Sequence, residues 1–161
     1  MKLEVGTKIP VETFPILKDG APDSVDLKDK LQGRKVVIFG LPGAFTGTCS
    51  TKHLPSFIEA KDDFAAKGVD EIICVAVNDV FVMDVWAEQT SAKDAGITML
   101  PDPESKFTSA IGMDFDVPEL GFVKRSNRYA MLVEDGVVTA LQVDEAGQCD
   151  LSTGNSFLAA I

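Results

Sequence analysis

The chain has 161 residues, 45% of them apolar, with 15 basic against 25 acidic side chains and a formal charge of −10. That length and apolar share suffice for one domain over residues 1–161 with its own core, without disulfides or a structural metal. The acidic balance argues against nucleic acid or an anionic membrane surface as partner. No run of about 18 apolar residues offers a helical membrane span, and the opening Met1-Lys2-Leu3-Glu4-Val5-Gly6 lacks the apolar core of a signal peptide, so a cytoplasmic setting is expected.

In chain order, Lys8 to Leu17, broken by Pro10 and Pro15, reads as an edge region, and Asp19-Gly20 supplies a turn that closes a small hairpin. Ser24 is placed to cap a short helix through Leu31, ended by Gly33. An apolar strand follows from Lys35 to Leu41, and a second helix runs from about Cys49 to Lys67 and stops at Gly68. Leu54, Phe57, Ile58, Phe64 and Ala65 recur at helical spacing, while Pro55 lies too deep for the first turn and predicts a kink near Thr51. Glu71 to Val77 is apolar on both alternating faces, as a strand covered on both sides must be, which buries Cys74. Asn78-Asp79 opens a helix from Val80 to Thr90; a strand over Ile97 to Leu100 and a short helix from Pro103 to Ile111 follow. Two strands, Arg128 to Val133 and Val137 to Val143, flank the hairpin dipeptide Asp135-Gly136, and Asn155 to Ile161 forms a closing helix. The order β-α-β-α-β-α-β-β-α gives an α/β, thioredoxin-like fold: a mixed central sheet flanked by helices, with an N-terminal extension.

The chemistry concentrates where the first apolar strand meets the second helix, at Pro42-Gly43-Ala44-Phe45-Thr46-Gly47-Thr48-Cys49. The first-turn N–H groups of a helix lack intrahelical partners, and with the helix dipole they favour a thiolate over a thiol. Thr46, three residues before Cys49, can donate a hydrogen bond to the sulfur or to a substrate oxygen, and Pro42 can shield the sulfur from water. A cation must come from elsewhere. Arg128 opens a strand that the hairpin returns to the sheet, which favours it over Arg34 at a helix end and Arg125 in a loop. Cys49, Cys74 and Cys149 are odd in number and unrelated in spacing, fitting neither a disulfide framework nor a zinc site.

These residues resemble the active-site signature of the peroxiredoxins, Pro-x-x-x-Thr/Ser-x-x-Cys with one arginine from a later strand, matched by Pro42, Thr46, Cys49 and Arg128. Gly68-Val69-Asp70-Glu71-Ile72 and Val77-Asn78-Asp79-Val80-Phe81-Val82-Met83 are similar to the type II, or peroxiredoxin-five-like, branch, and the likeness spans nearly the whole chain. Gly47 departs from that branch, which usually has a second proline there; glycine loosens the loop but removes no chemical group. The resemblance implies a thiol peroxidase that reduces hydrogen peroxide and alkyl hydroperoxides. Cys49 is its nucleophile, Thr46 positions the peroxide oxygens, and Arg128 stabilises the developing charge. No metal or organic cofactor is implied.

The resulting sulfenic acid must be met by a thiol before it oxidises further. Cys74 lies where plant-type members carry a second cysteine, but as a mid-strand thiol it needs local unfolding to react, and a core role is favoured. Cys149, in a polar loop near the resolving cysteine of mammalian-type members, is expected to be a surface thiol whose acidic neighbours raise its pKa. External reduction, by glutaredoxin with glutathione or by thioredoxin, is therefore preferred. His53, the only histidine, is expected to be exposed or to pack, with a small contribution to the thiolate if protonated. Phe81, Met83 and Trp86 read as packing or subunit-interface residues, and the resemblance implies a homodimer with Phe45 and Phe122 at its contact. The competing function is a redox sensor or thioredoxin-fold binding protein without rapid turnover. A dithiol oxidoreductase is disfavoured, because Thr46 stands where a Cys-x-x-Cys motif needs its first cysteine.

Overall fold

The computed structural model describes residues 1–161. Strands β1 (Thr13–Lys18) and β2 (Ala21–Asp26) pair antiparallel through Asp19-Gly20. Both turn residues have positive φ, 52° and 80°, angles that an Asp-Gly pair reaches at little steric cost. Helix α1 (Leu27–Leu31) is capped by Asp26, whose carboxylate accepts from the Lys28 N–H at 3.0 Å. The expected cap, Ser24, instead pairs with Pro15 inside the hairpin, because β2 runs on through Asp26.

Strand β3 (Lys35–Gly40) leads through a loop to a π-helical turn (Cys49–His53) and helix α2 (Leu54–Ala66). Then come β4 (Glu71–Ala76), α3 (Val80–Gln89), β5 (Thr98–Pro101) and α4 (Lys106–Ala110). A ribbon of β6 (Asp114–Val117) and β7 (Phe122–Ser126), joined through a 3-10 turn at Pro118–Leu120, precedes β8 (Tyr129–Glu134), β9 (Val137–Val143) and α5 (Gly154–Ala160). The ribbon is a feature that periodicity did not announce. Its strands are short and partly exposed and carry no continuous apolar run. It also moves Arg125 from the expected loop into β7.

The central sheet has the order β5-β4-β3-β8-β9, with β3, β4 and β5 parallel and β8 and β9 antiparallel. Alternation along β3 and β4 sends Val37, Phe39 and Cys74 to one face and Val36, Ile38, Ile73 and Val75 to the other. The first face packs against Phe57, Phe64, Trp86 and Phe157 from α2, α3 and α5, with Phe39 stacked on Phe57 at 4.0 Å between ring centroids. Phe14 of the hairpin, Leu27 and Leu31 of α1 and Phe107 of α4 cover the second. This is the thioredoxin-like layout, a mixed sheet with helices on both sides. No helix is long and apolar enough to cross a membrane.

Candidate active site

Strand register delivers the cation. Gly40, the last residue of β3, pairs with Tyr129, the first of β8. A side chain at Gly40 would collide with the Tyr129 ring, which occupies that space instead. Because the pair is antiparallel, the residue before Tyr129 lies beside the residue after Gly40. Arg128 is thus set against the start of the loop that carries Pro42 and Thr46. Arg34, the first rival, is held elsewhere: its Nη1 donates to Glu71 Oε1 at 2.7 Å. Burial works against ionisation of Glu71, but hydrogen bonds from Thr98, Arg34 and Lys30 outweigh it and lower the carboxyl pKa.

The loop between β3 and the helix is anchored at successive peptide groups. Arg125 Nη1 donates to the Pro42 carbonyl at 3.0 Å, the Thr46 hydroxyl donates to the Gly43 carbonyl at 2.7 Å, and the Ala44 N–H donates to Asn78 Oδ1 at 2.9 Å. Phe45 takes a left-handed conformation, φ 64°, at the tip of the loop. With its proton committed to Gly43, the Thr46 oxygen still has lone pairs to accept a bond from a substrate O–H.

Helical backbone begins at Gly47, which places Cys49 in the first turn as expected. From Cys49 to His53 the turn is π-helical, closed by the Leu54 N–H donating to the Cys49 carbonyl five residues back. The predicted kink at Thr51 lies within this turn. Pro55 has no N–H to offer the carbonyl four residues behind it, so a continuous α-helix would fail there; after the wider turn, α2 restarts with Pro55 in its first turn. Cys49 itself is wholly buried. Next to it, the Ser50 hydroxyl accepts from the Trp86 indole N–H at 2.9 Å.

His53 is buried, taking the packing place rather than the exposed one of the two expected for it. Its Nδ1 lies 3.3 Å from Arg128 Nη1 and its Nε2 lies 2.9 Å from the Ser152 carbonyl. A guanidinium can only donate, so Nδ1 is the bare acceptor and the proton sits on Nε2. Burial first, and then the charge of Arg128, push the His53 pKa down to about 4, so the ring is neutral at pH 7 and adds no positive charge beside Cys49. Ser152 is held in turn by Asp144, which accepts from its hydroxyl at 2.5 Å and from its N–H at 3.0 Å. Burial opposes ionisation of Asp144, but these bonds and the N–H groups of Asp150 and Leu151 lower its pKa. Sequence reading missed this chain, since Ser152 and His53 are 99 residues apart and carry no motif.

Pro42, Thr46 and Arg128 line one cleft of about 550 Å³, with Gly47 and Thr48 on the loop side, Phe115, Leu120 and Phe122 from the ribbon, and Glu145 to Gln148 opposite. Cys49 follows directly on the lining residue Thr48. Cys74 is buried in mid-strand, as expected, and burial pushes its thiol pKa up. Cys149 is buried too, contrary to the surface position expected from its polar neighbours. Burial is the main cause of its raised pKa, opposed by the charges of Arg128 and Lys52, with Asp144 a smaller contribution in the same direction as burial.

The redoxin family model matches residues 4–157. Among curated proteins, chloroplastic peroxiredoxin-2E-2 of Oryza sativa subsp. japonica is 42% identical, over 99% of this chain and 72% of its own length. Peroxiredoxin-2B of Arabidopsis thaliana is 37% identical over 94% of this chain and 99% of its own. Among solved structures, reduced Prx3 of Vibrio vulnificus in complex with hydrogen peroxide superposes with a TM-score of 0.91 at 40% identity, covering 98% of this chain and 95% of that one. Sharing fold and sequence with these proteins along almost its full length, the chain belongs to the type II branch of the peroxiredoxins, thiol-dependent peroxidases.

Proposed function

We propose that the chain, working as one domain over residues 1–161, reduces hydrogen peroxide and alkyl hydroperoxides at Cys49. The thiolate attacks one peroxide oxygen, the O–O bond breaks, and the sulfur becomes a sulfenic acid while the other oxygen leaves as water or an alcohol after taking up a proton. Thr46 accepts a hydrogen bond from the peroxide and aligns it, the Arg128 guanidinium stabilises the charge on the leaving oxygen, and Pro42 screens the sulfur from water. The observation that carries this reading is the single cleft lined by Pro42, Thr46 and Arg128 next to the buried Cys49. Its test is Cys49→Ser, expected to abolish peroxide consumption with the fold intact; turnover retained in that variant rejects the assignment.

The sulfenic acid is reduced by an external thiol, glutaredoxin with glutathione or thioredoxin. One thiol condenses with it to a mixed disulfide and releases water, and a second thiol frees Cys49. The burial of Cys74 between two neighbouring strands and of Cys149 behind Asp144 supports an outside reductant over either internal thiol. A reducing compartment, the cytoplasm, fits this chemistry, and fractionation of cells carrying the tagged chain tests it.

The working unit is a homodimer. Phe45, Phe81, Leu120 and Val123, between 50% and 68% exposed, come from the active-site loop, the start of α3 and the ribbon. Those three elements are tied to one another by the Asn78 and Arg125 hydrogen bonds. Phe122 is less exposed, packing on Phe115 and Arg125. Sedimentation of Phe45→Glu against the parent tests the contact: a monomer is expected, and an unchanged dimer removes Phe45 from it.

A further inference from the structure

We propose that Arg125 is a positioning residue for peroxide reduction, acting through the Pro42 carbonyl; the proposal rests on Cys49 as the nucleophile. Proline has no N–H, so its carbonyl is the one backbone group by which Pro42 can be held. That carbonyl accepts from Arg125 Nη1 at 3.0 Å across 83 residues of sequence. The guanidinium also lies over the Phe122 ring, 5.0 Å from its centroid. No carboxylate pairs with it: the ion pairs of the protein involve Lys30, Arg34, Lys93 and Lys106. The half-buried guanidinium is thus directed to a backbone oxygen of the loop between β3 and the helix.

The adjoining residue is shaped for the contact. A side chain at Gly43 would collide with Arg125 Nη1 and lie 3.3 Å from Asn78 Oδ1. Glycine therefore lets the guanidinium lie against the backbone. With Thr46 on the Gly43 carbonyl and Asn78 on the Ala44 N–H, the two ends of one peptide, two successive peptide groups are fixed by three hydrogen bonds. The anchors on either side come from different parts of the fold, β7 and the β4–α3 junction. The ribbon that supplies Arg125 also supplies the Phe115 and Leu120 wall of the cleft. One hydrogen bond thus sets the distance between that wall and the loop carrying Pro42 and Thr46. Reactions that depend on alignment are sensitive to shifts of about 1 Å at such a point.

Two reactions of Cys49 separate positioning from a general effect on the sulfur. Reduction of hydrogen peroxide needs Thr46, Pro42 and the cleft in register, whereas alkylation by iodoacetamide, followed at Cys49 by peptide mass spectrometry, needs only an accessible thiolate. Arg125→Ala is expected to slow the peroxide reaction about tenfold and to change alkylation less than about twofold. Arg125→Lys, which keeps one donor, recovers at least half of that loss on a logarithmic scale. Gly43→Ala displaces the guanidinium without removing it and behaves like Arg125→Ala, which keeps the test open if the latter fails to fold. A peroxide rate within twofold of the parent in Arg125→Ala or Gly43→Ala overturns the proposal. So does an equal fall in both reactions, which would make Arg125 a charge acting on the sulfur. Parental peroxide consumption by Cys49→Ser overturns the assignment of the nucleophile as well, a result distinct from either.

Discussion

Arg128 donates from Nη1 to Nδ1 of His53 across 3.3 Å, and the other ring nitrogen of His53 bonds the Ser152 carbonyl, so the guanidinium is fixed by a neutral, buried base. Arginine and histidine here are not two charges in opposition. The histidine serves as an oriented acceptor, and the Cys49–His53 turn carries both the sulfur and the group that aims the cation.

Removing the cation tests its role at the leaving oxygen. Arg128→Ala should slow sulfenic acid formation about 100-fold. His53→Ala, which leaves Arg128 in place but unaimed, should slow it less, about tenfold, with His53→Gln nearer the parent because an amide can both accept and donate. Stopped-flow measurement of the first step checks this, and a parental rate in Arg128→Ala rejects the assignment.

The His53 pKa sets an acid limit on stability. The pKa falls from 6.5 to about 4 on folding, so the unfolded chain binds the proton more readily and stability declines as pH falls through that window. The loss is about 2 kcal/mol by pH 5 and about 3 kcal/mol by pH 4. Asp144 and Glu71, lowered from 3.8 and 4.5, give stability that is present above those values and is lost further into acid. Urea unfolding of parent and His53→Gln between pH 5 and 7 isolates the histidine. An equal slope in both variants means that His53 is not the group responsible.

Gly47 stands at the first helical position with its N–H donating to no protein acceptor and nothing within 4 Å of where a Cβ would lie. Proline fits there, and Gly47→Pro should stabilise the protein by about 0.4–1 kcal/mol through the unfolded state. The peroxide rate should be unchanged. Reduction by glutaredoxin or thioredoxin should slow severalfold, because the buried sulfur has to be uncovered for a protein thiol. Equal reduction rates in both forms would dismiss loop opening as a step.

One equivalent of hydrogen peroxide, followed by mass spectrometry under non-reducing conditions, should leave Cys49 as a sulfenic acid or its trapped adduct, with Cys74 and Cys149 as thiols. A Cys49–Cys74 or Cys49–Cys149 disulfide overturns external reduction. Turnover with glutaredoxin and thioredoxin in separate assays identifies the donor.

Much of this was legible in the residues. The strand-to-helix corner, the Asp19-Gly20 and Asp135-Gly136 turns and the buried Cys74 follow from local pattern, because periodicity and turn chemistry act over a few positions. Arg128 was reached through the resemblance and the hairpin, yet the pairing of Gly40 with Tyr129 that brings it to the loop is a matter of register, which no local pattern encodes. The contacts of Arg125 and His53 escape local pattern for the same reason. Their partners, Pro42 and Ser152, lie 83 and 99 residues away. Cys149 misled because acidic neighbours in sequence suggested exposure, whereas Asp144 folds the segment inward by accepting from three successive N–H groups, those of Asp150, Leu151 and Ser152.

Trp86, the one tryptophan in the chain, gives its indole proton to Ser50, the residue after Cys49. Any rearrangement of that turn must lengthen or break this bond and alter the polarity around the indole. Oxidation and re-reduction of the neighbouring sulfur are therefore expected to change the intrinsic fluorescence, with no label and no second emitter of its kind to disentangle.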